Sequence, residues 1–171
     1  DGPMSRGLGD VYKRQGQYIH YGVREHGMAA IMNGIAATKI YKTYSGTFLS
    51  FADYMKPSLR LAALMKIDPI QVFTHDSIGL GEDGPTHQPI EQINMLRLIP
   101  NSYVFRPCDL KETIVCWKEA LKIDNAPSFI CLSRQNLPQI SNKKLVSKNF
   151  KGAYVISLSL IHISEPTRHR S

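Results

Sequence analysis

The sequence lacks the features of a membrane protein, a disulfide scaffold or a repeat array. Its 171 residues contain no apolar run near the roughly 20 residues that a membrane-spanning helix needs. The three cysteines, Cys108, Cys116 and Cys131, show no C-x-x-C spacing and lie in apolar stretches, which predicts buried, reduced thiols. Low-complexity tracts and internal repeats are also missing. The length and composition therefore indicate one globular domain.

Positive charge is present but is not focused. The net charge is +7, and the densest basic run, residues 142–151 (NKKLVSKNFK), carries a single aromatic residue and has the character of a solvated connector. A small molecule that bears phosphate explains a modest positive balance as well as nucleic acid does. We therefore expect neither a nucleic-acid nor a membrane partner, and we expect a cytoplasmic protein.

The two ends of the chain differ from its middle. Residues 1–15 (DGPMSRGLGDVYKRQ) and 157–171 (SLSLIHISEPTRHRS) show no periodicity that continues into the adjacent elements. They resemble peptides translated from sequencing-adaptor DNA, and segments of that kind are set aside in fold reasoning. We expect a native domain at 16–156 with a non-native extension on each side, within a fragment of a longer protein.

The middle alternates between strand-like and helix-like patterns. Strands are predicted at 18–21, 39–44, 70–75, 102–106, 128–132 and 154–156, and helices at 24–38, 47–66, 89–98 and 109–122. Pro57 is a possible kink in the second helix, and the capping-box residues Asp109 and Glu112 open the last one. Such alternation predicts an α/β fold of three layers, α/β/α, with a mostly parallel sheet.

The candidate site residues follow from that sheet, because ligands bind at the carboxyl ends of parallel strands. Glu25 lies where a helix begins; it is either a first-turn glutamate facing the helix dipole or a partly buried carboxylate that exchanges a proton. An aromatic set at i, i+3 and i+6 is either core or a stacking wall for a flat heterocycle: Phe48, Phe51 and Tyr54. Arg134 is either a surface residue or a fork for a phosphate or carboxylate.

The longest strand-end loop, residues 75–89 (HDSIGLGEDGPTHQP), contains GLGEDG, a match to the dinucleotide motif G-x-G-x-x-G. Glu82 and Asp83 would place negative charge at the pyrophosphate, and no helix opens on the last glycine, so the motif is weak here. A metal site and a loop of solvated acids and capping histidines remain alternatives. The third is a site for a polyhydroxylated ligand, in which His75, Asp83 and His87 meet hydroxyls.

Taken together, GVREHG, SGTFLSFADY, THDSIGLGEDGPTHQP, RPCD and LSRQN, in this order, closely resemble the transketolase family of thiamine-diphosphate enzymes. The resemblance runs from about residue 16 to residue 156. It implies a pyrimidine-binding domain, in which Glu25 hydrogen-bonds the aminopyrimidine ring of the cofactor and the aromatic set Phe48, Phe51 and Tyr54 surrounds that ring.

The same resemblance implies roles for the loop. His75, Asp83 and His87 match residues that hold the ketose donor through its hydroxyls, with the two histidines also catalytic, and Arg134 matches a ligand of the substrate phosphate. The implied reaction moves a glycolaldehyde unit from a ketose phosphate to an aldose phosphate, as in the pentose phosphate pathway. The family implies a homodimer with sites at the subunit interface, and Mg²⁺ or Ca²⁺ held with the diphosphate by a domain absent from this chain.

Three other functions stay open at this point. The first is a different thiamine-diphosphate enzyme of similar architecture, either a deoxyxylulose-phosphate synthase or a 2-oxoacid dehydrogenase β subunit. The second is a non-catalytic assembly partner, and the third is part of a split enzyme whose second chain completes the site. Alone, we expect it to bind thiamine diphosphate weakly and to turn over nothing.

Overall fold

A computed structural model describes residues 18–76 and 78–140, which form a four-stranded parallel sheet between helices. The strands are β1 (Tyr44–Phe48), β2 (Ile70–Asp76), β3 (Tyr103–Phe105) and β4 (Ser128–Ser133). The helices are α1 (Glu25–Ala37), α2 (Ala52–Leu64), α3 (Gln92–Arg97) and α4 (Leu110–Lys122). The end segments 1–15 and 157–171 and the strand predicted at 154–156 lie outside the described residues.

The strand order, β1-β2-β4-β3, places β4 between two strands that precede it in the chain. All three neighbouring pairs are parallel, so the four carboxyl ends share one edge of the sheet. At this edge Phe48 lies opposite Thr74, and Asp76 lies opposite Ser133. The end of β2 is therefore flanked by the ends of β1 and β4.

Alternate residues of β4 pack on opposite faces of the sheet, which confirms the three-layer α/β/α prediction. Phe129 and Cys131 belong to a buried cluster with side chains of α1 and α2, whereas Ile130 packs with Ala120 of α4. Both faces of the sheet are thus covered by helices, as is usual for parallel sheets. No helix in the described ranges is long and apolar enough to cross a membrane.

The capping signal at the start of α4 is also confirmed. The Asp109 carboxylate accepts a hydrogen bond of 3.0 Å from the backbone N–H of Glu112. The Glu112 carboxylate in turn accepts a bond of 2.7 Å from the backbone N–H of Cys108. Two of the amide donors at this helix start are therefore satisfied by side chains of the same short segment.

Several sequence-based assignments were wrong, among them the helix predicted at 89–98, which begins only at Gln92. Residues 18–21 form no strand. The strand predicted at 39–44 begins only at Tyr44, because Thr38 and Lys39, the latter with φ of 57°, first turn the chain out of α1. The helix predicted at 47–66 begins at Ala52, after Phe48 ends β1 and one 3-10 turn follows; Pro57 lies inside α2 without ending it.

Candidate functional site

Aromatic and imidazole rings meet at the carboxyl edge of the sheet. The His75 ring stacks on Phe48 with centroids 3.7 Å apart and an angle of 17° between the planes. Phe48 is parallel to Phe51, with centroids 5.6 Å apart, and the His87 ring lies edge-on to Phe51 at 5.2 Å. Phe51 also contacts Tyr54 at 6.0 Å. Five predicted site residues from three separate segments therefore form one ring cluster.

The ring cluster is only partly enclosed. Tyr54 is 66% exposed, and Phe48, Phe51, His75 and His87 are half-buried. The core interpretation of these aromatics, by contrast, would have placed them among the fully buried side chains, where Leu49 and Ala52 lie instead. The cluster thus presents ring surface on which a flat group can stack.

An irregularity in β2 sets the placement of His75. The register with β4 shifts between Phe73 and Asp76, so that β2 carries one residue more than its partner over this stretch. His75 lies within the shift and has φ of 61°, in the left-handed region. That conformation costs about 1–2 kcal/mol for a residue with a Cβ, so the surrounding structure must hold it.

Each histidine of the cluster is next to a threonine that contacts its ring. His75 Nδ1 lies 2.9 Å from the hydroxyl of Thr74, and His87 Nδ1 lies 2.9 Å from the hydroxyl of Thr86. The Thr74 hydroxyl also lies 3.4 Å from the Thr47 carbonyl, to which it can donate. Because Nδ1 is engaged in both rings, Nε2 is the nitrogen left for a ligand.

The glycines of the loop after β2 are required by backbone shape. Gly81 and Gly84 have φ of 85° and 78°, which L-residues rarely adopt. A Cβ on Gly79 would overlap the side-chain amide of Gln135, so the segment after β4 packs directly against this loop. A 3-10 turn, Pro85–His87, follows the last glycine, whereas a dinucleotide-binding loop would open an α-helix there. The GLGEDG segment is therefore a set of turns.

The charged candidates Asp83 and Arg134 are exposed at the rim of this edge. An Arg134 guanidinium nitrogen lies 3.9 Å from the position that a Cβ on Gly81 would occupy, so the arginine stands beside the loop. Neither Asp83 nor Arg134 has a hydrogen-bond or ion-pair partner within residues 18–76 and 78–140. Both side chains are available to a ligand that bears hydroxyls or a phosphate.

Glu25, the first residue of α1, is half-buried. No ring contact or hydrogen bond joins it to the cluster in the described part of the chain. The next residue, His26, has its Nδ1 3.3 Å from the hydroxyl of Ser58 on α2. The amide of Asn33 donates a bond of 2.8 Å to the Ser58 carbonyl. The helix that begins at Glu25 is thus fixed against α2, which begins just after Phe51.

The sequence pattern missed an ion pair next to the ring cluster, in which a buried aspartate is paired with an exposed arginine. Asp76 is 6% exposed, and its Oδ2 accepts a bond of 2.6 Å from Nε of Arg106. Both residues line a cleft of about 260 Å³ that Leu49 also borders. The sequence does show an acid at the end of one predicted strand and a base at the end of another. It does not show that these two strand ends lie close together.

The described residues contain no group of three or more His, Cys, Asp and Glu side chains that could hold a metal ion. The metal interpretation therefore has no geometric support among the described residues of the 75–89 loop. His75 and His87 instead converge on aromatic rings.

The fold and the site define an α/β domain that gathers ring stacking surface, imidazoles and rim charges at one sheet edge. Residues 2–139 match the sequence profile of a family described as the pyrimidine-binding domain of transketolase. The chain therefore belongs to the transketolase pyrimidine-binding domain family, as the sequence motifs predicted.

Relatives over nearly the whole chain support this membership. The chain is 56% identical over 142 residues to transketolase 1 of Aliivibrio fischeri, covering 82% of this chain and 21% of that protein. It is 54% identical over 143 residues to a transketolase of Sinorhizobium medicae, covering 83% and 21%. The chain thus spans about a fifth of the length of the curated relatives it matches.

Solved structures share the fold. The transketolase of Campylobacter jejuni is similar with a TM-score of 0.70 and 52% identity, over 72% of this chain and 20% of that one. A Pichia stipitis transketolase in complex with sedoheptulose 7-phosphate is similar with a TM-score of 0.75 and 52% identity, over 85% and 22%.

Proposed function

We propose that this chain supplies the pyrimidine-binding half of a transketolase site. The whole enzyme would move a two-carbon glycolaldehyde unit from a ketose phosphate to an aldose phosphate, as an enzyme of the pentose phosphate pathway. The observation that carries the proposal is the ring cluster, in which His75 stacks on Phe48 at 3.7 Å and His87 meets Phe51 at 5.2 Å. The aromatic rings offer a stacking surface for a flat cofactor. The two imidazoles beside them offer hydrogen-bonding groups for a sugar substrate.

Membership of the family implies thiamine diphosphate as the cofactor. The residues present fit its aminopyrimidine ring, because the half-buried faces of Phe48 and Phe51 and the exposed Tyr54 offer stacking surface at the sheet edge. Glu25 would form a hydrogen bond with a nitrogen of that ring and exchange a proton with it. The cofactor, when bound, supplies the carbon nucleophile for cleavage next to a ketone; the protein supplies binding, orientation and proton transfer.

The substrate would be held by the loop after β2 and by the end of β4. His75 and His87 each have Nδ1 engaged by a threonine, which leaves Nε2 to exchange hydrogen bonds or a proton with a sugar hydroxyl. Asp83, exposed at the loop tip, would select hydroxyl stereochemistry. Arg134, exposed beside Gly81, would take the phosphate. The sugar phosphate in the Pichia stipitis relative supports this class of substrate.

The remaining parts of the site would come from elsewhere. Mg²⁺ or Ca²⁺ and the diphosphate would be held by a domain outside this chain, and the complete site would lie at the interface of a cytoplasmic homodimer. The exposed Tyr54 and the open ring cluster support a second surface over this edge. The domain itself would span 16–156, with non-native extensions at 1–15 and 157–171. Trimming to 16–156 should leave the thermal unfolding midpoint unchanged.

A chimera tests the proposed reaction. The matching domain of Aliivibrio fischeri transketolase 1 would be replaced by residues 16–156, and two-carbon transfer from a ketose phosphate to an aldose phosphate would be measured. We expect a turnover that Glu25→Gln lowers by about 10²-fold or more, because a general acid–base residue contributes on that order. A folded, dimeric chimera without transfer activity would contradict the proposal, and consumption of pyruvate instead would indicate a different thiamine-diphosphate enzyme.

The chain by itself tests the expected incompleteness of the site. Calorimetric titration with thiamine diphosphate and Mg²⁺ should show weak binding and no turnover of ketose phosphate. A micromolar dissociation constant for the isolated chain would show that the pyrimidine-binding half alone suffices for affinity.

A further inference from the structure

We infer that Asp76, anchored by Arg106, is a positioning residue that sets the orientation of His75 at the stacking surface. This inference rests on the proposed function for its consequence in catalysis, but its structural content is independent of any ligand. Three features coincide at one point of β2: the register shift, the left-handed residue, and the ion pair between the buried Asp76 and the exposed Arg106.

The register shift decides the direction in which His75 points. Side chains alternate between the two faces of a sheet, so one extra residue in a strand reverses the face for everything beyond it. The shift lies between Phe73, which is fully buried on the face covered by α1 and α2, and Asp76. His75 within the shift lies over Phe48 of the neighbouring strand, with ring centroids 3.7 Å apart.

The ion pair holds the far end of the shift. Asp76 resumes pairing with β4 at Ser133; the residue is only 6% exposed, and Arg106 Nε lies 2.6 Å from its carboxylate. Arg106 follows β3, which lies on the other side of β4 from β2. The pair thus crosses the end of the central strand and ties the two flanking strands together. A buried carboxylate keeps its place only while it is paired, since an unpaired buried charge is strongly unfavourable.

The left-handed conformation of His75 needs such an anchor. At φ of 61° a residue with a Cβ is strained, and the strain is relieved if the strand returns to regular pairing. Regular pairing would move Asp76 away from Arg106 and His75 away from Phe48. Loss of the ion pair should therefore release the ring of His75, while the rest of the sheet stays folded.

The test is a nuclear magnetic resonance measurement on the whole chain, with ¹³C-labelled histidine. A ring stacked on Phe48 has its C–H protons shifted upfield by the phenyl ring current, and His75→Gln identifies the signals. We expect His75 to be shifted upfield in the wild-type chain relative to the exposed His20. Asp76→Asn and Arg106→Leu should each remove most of that displacement, and Arg106→Lys, which keeps the charge, should retain part of it.

Asp68→Asn is the matched control. Asp68 is 13% exposed and paired with Lys42 at 2.5 Å. The substitution therefore removes another ion pair just before β2, away from the carboxyl end of that strand. It should lower the free energy of unfolding and leave the His75 signals in place. Unchanged His75 signals in folded Asp76→Asn and Arg106→Lys, or no upfield displacement in the wild-type chain, would overturn the inference. If Arg106→Leu does not fold, these two milder variants still decide it.

The two proposals fail separately. The His75 signals are measured without cofactor or substrate, so they can confirm the anchor even if the chimera has no transferase activity. Conversely, the chimera could be active while the chemical shifts of His75 are unchanged in the Asp76→Asn chain. That result would support the proposed reaction and show that the ion pair does not orient His75.

Discussion

The imidazole of His75 and the ring of Phe48 lie face to face, 3.7 Å between centroids and 17° from parallel. They come from adjacent strands, at the residue that ends β1 and at the residue before the end of β2. Stacking of this kind fixes the plane of the imidazole, and the Thr74 contact at Nδ1 fixes its rotation. Nε2 is therefore the nitrogen of His75 that is left for a ligand.

His75→Ala should reduce kcat/KM for the ketose phosphate by about 10²-fold in the chimera, because a positioned imidazole contributes on that order to proton transfer. The control is His20→Ala, since His20 is exposed and lies outside the ring cluster. Steady-state kinetics over a range of ketose phosphate concentrations separate an effect on KM from an effect on kcat. Equal kinetics for the two variants would remove His75 from the site.

Gly81→Ala and Gly34→Ala should change stability in opposite directions. Gly81 has φ of 85°, so a Cβ there should lower the free energy of unfolding by about 1 kcal/mol or more. Gly34 lies in α1, and outside its own helix backbone no atom of the described residues lies within 4 Å of an added Cβ, so alanine should stabilise the helix by about 0.5–1 kcal/mol. Urea denaturation of the chain measures both; a tolerated Gly81→Ala would mean that the loop adopts another shape.

Ser50→Ala and Ser58→Ala form a second matched pair. The Ser50 hydroxyl is buried and has no hydrogen-bond partner in the described residues, so its removal should raise the free energy of unfolding by about 1 kcal/mol. Ser58 is equally buried, but its hydroxyl lies 3.3 Å from His26 Nδ1, and its removal should lower that free energy by a similar amount. Thermal unfolding followed by circular dichroism distinguishes the two; a loss of stability in Ser50→Ala would show that its hydroxyl has a partner after all.

The thiols predict a loss of stability at high pH. Burial raises the pKa of Cys116 to about 12. Burial, and after it the nearby Asp76 carboxylate, raises the pKa of Cys131 to about 12. The folded chain therefore keeps both thiols protonated while the unfolded chain ionises them near pH 9, so stability is full below about pH 9 and falls toward pH 12.

Denaturant titrations at several pH values between about 8 and 11 should show this decline. Cys116→Ala with Cys131→Ala provides the control, because lysine and tyrosine side chains also titrate above pH 10. The double variant should have a shallower dependence on pH than the wild-type chain. Identical slopes would mean that the two thiols ionise equally in both states.

The fold class and family followed from the order of residues alone. Apolar strands alternating with amphipathic helices specify a covered parallel sheet, and a parallel sheet brings its carboxyl ends to one edge whatever the strand order. The motifs GVREHG, SGTFLSFADY and THDSIGLGEDGPTHQP contain the family's signature and name the candidate residues. These conclusions need only local patterns and chain order.

Element boundaries were less predictable, because tertiary pairing overrides local preference at the ends of elements. Thr47 and Phe48 fit the start of a helix by pattern, but they complete β1 since their partners Phe73 and Thr74 are present in β2. After α1 the chain turns at Lys39 in a left-handed conformation, which hydrophobic periodicity does not predict.

The arrangement of the site was decided only by the tertiary structure. Spacing at i, i+3 and i+6 could not separate core aromatics from a stacking wall, because the two differ only in what lies on the other side of the rings. The strand order β1-β2-β4-β3 brings Arg106 across β4 to Asp76, and a one-residue shift in β2 lays His75 on Phe48. Sequence determines which groups reach the edge of the sheet, whereas register and burial determine which of them touch, because those depend on contacts between residues far apart in the chain.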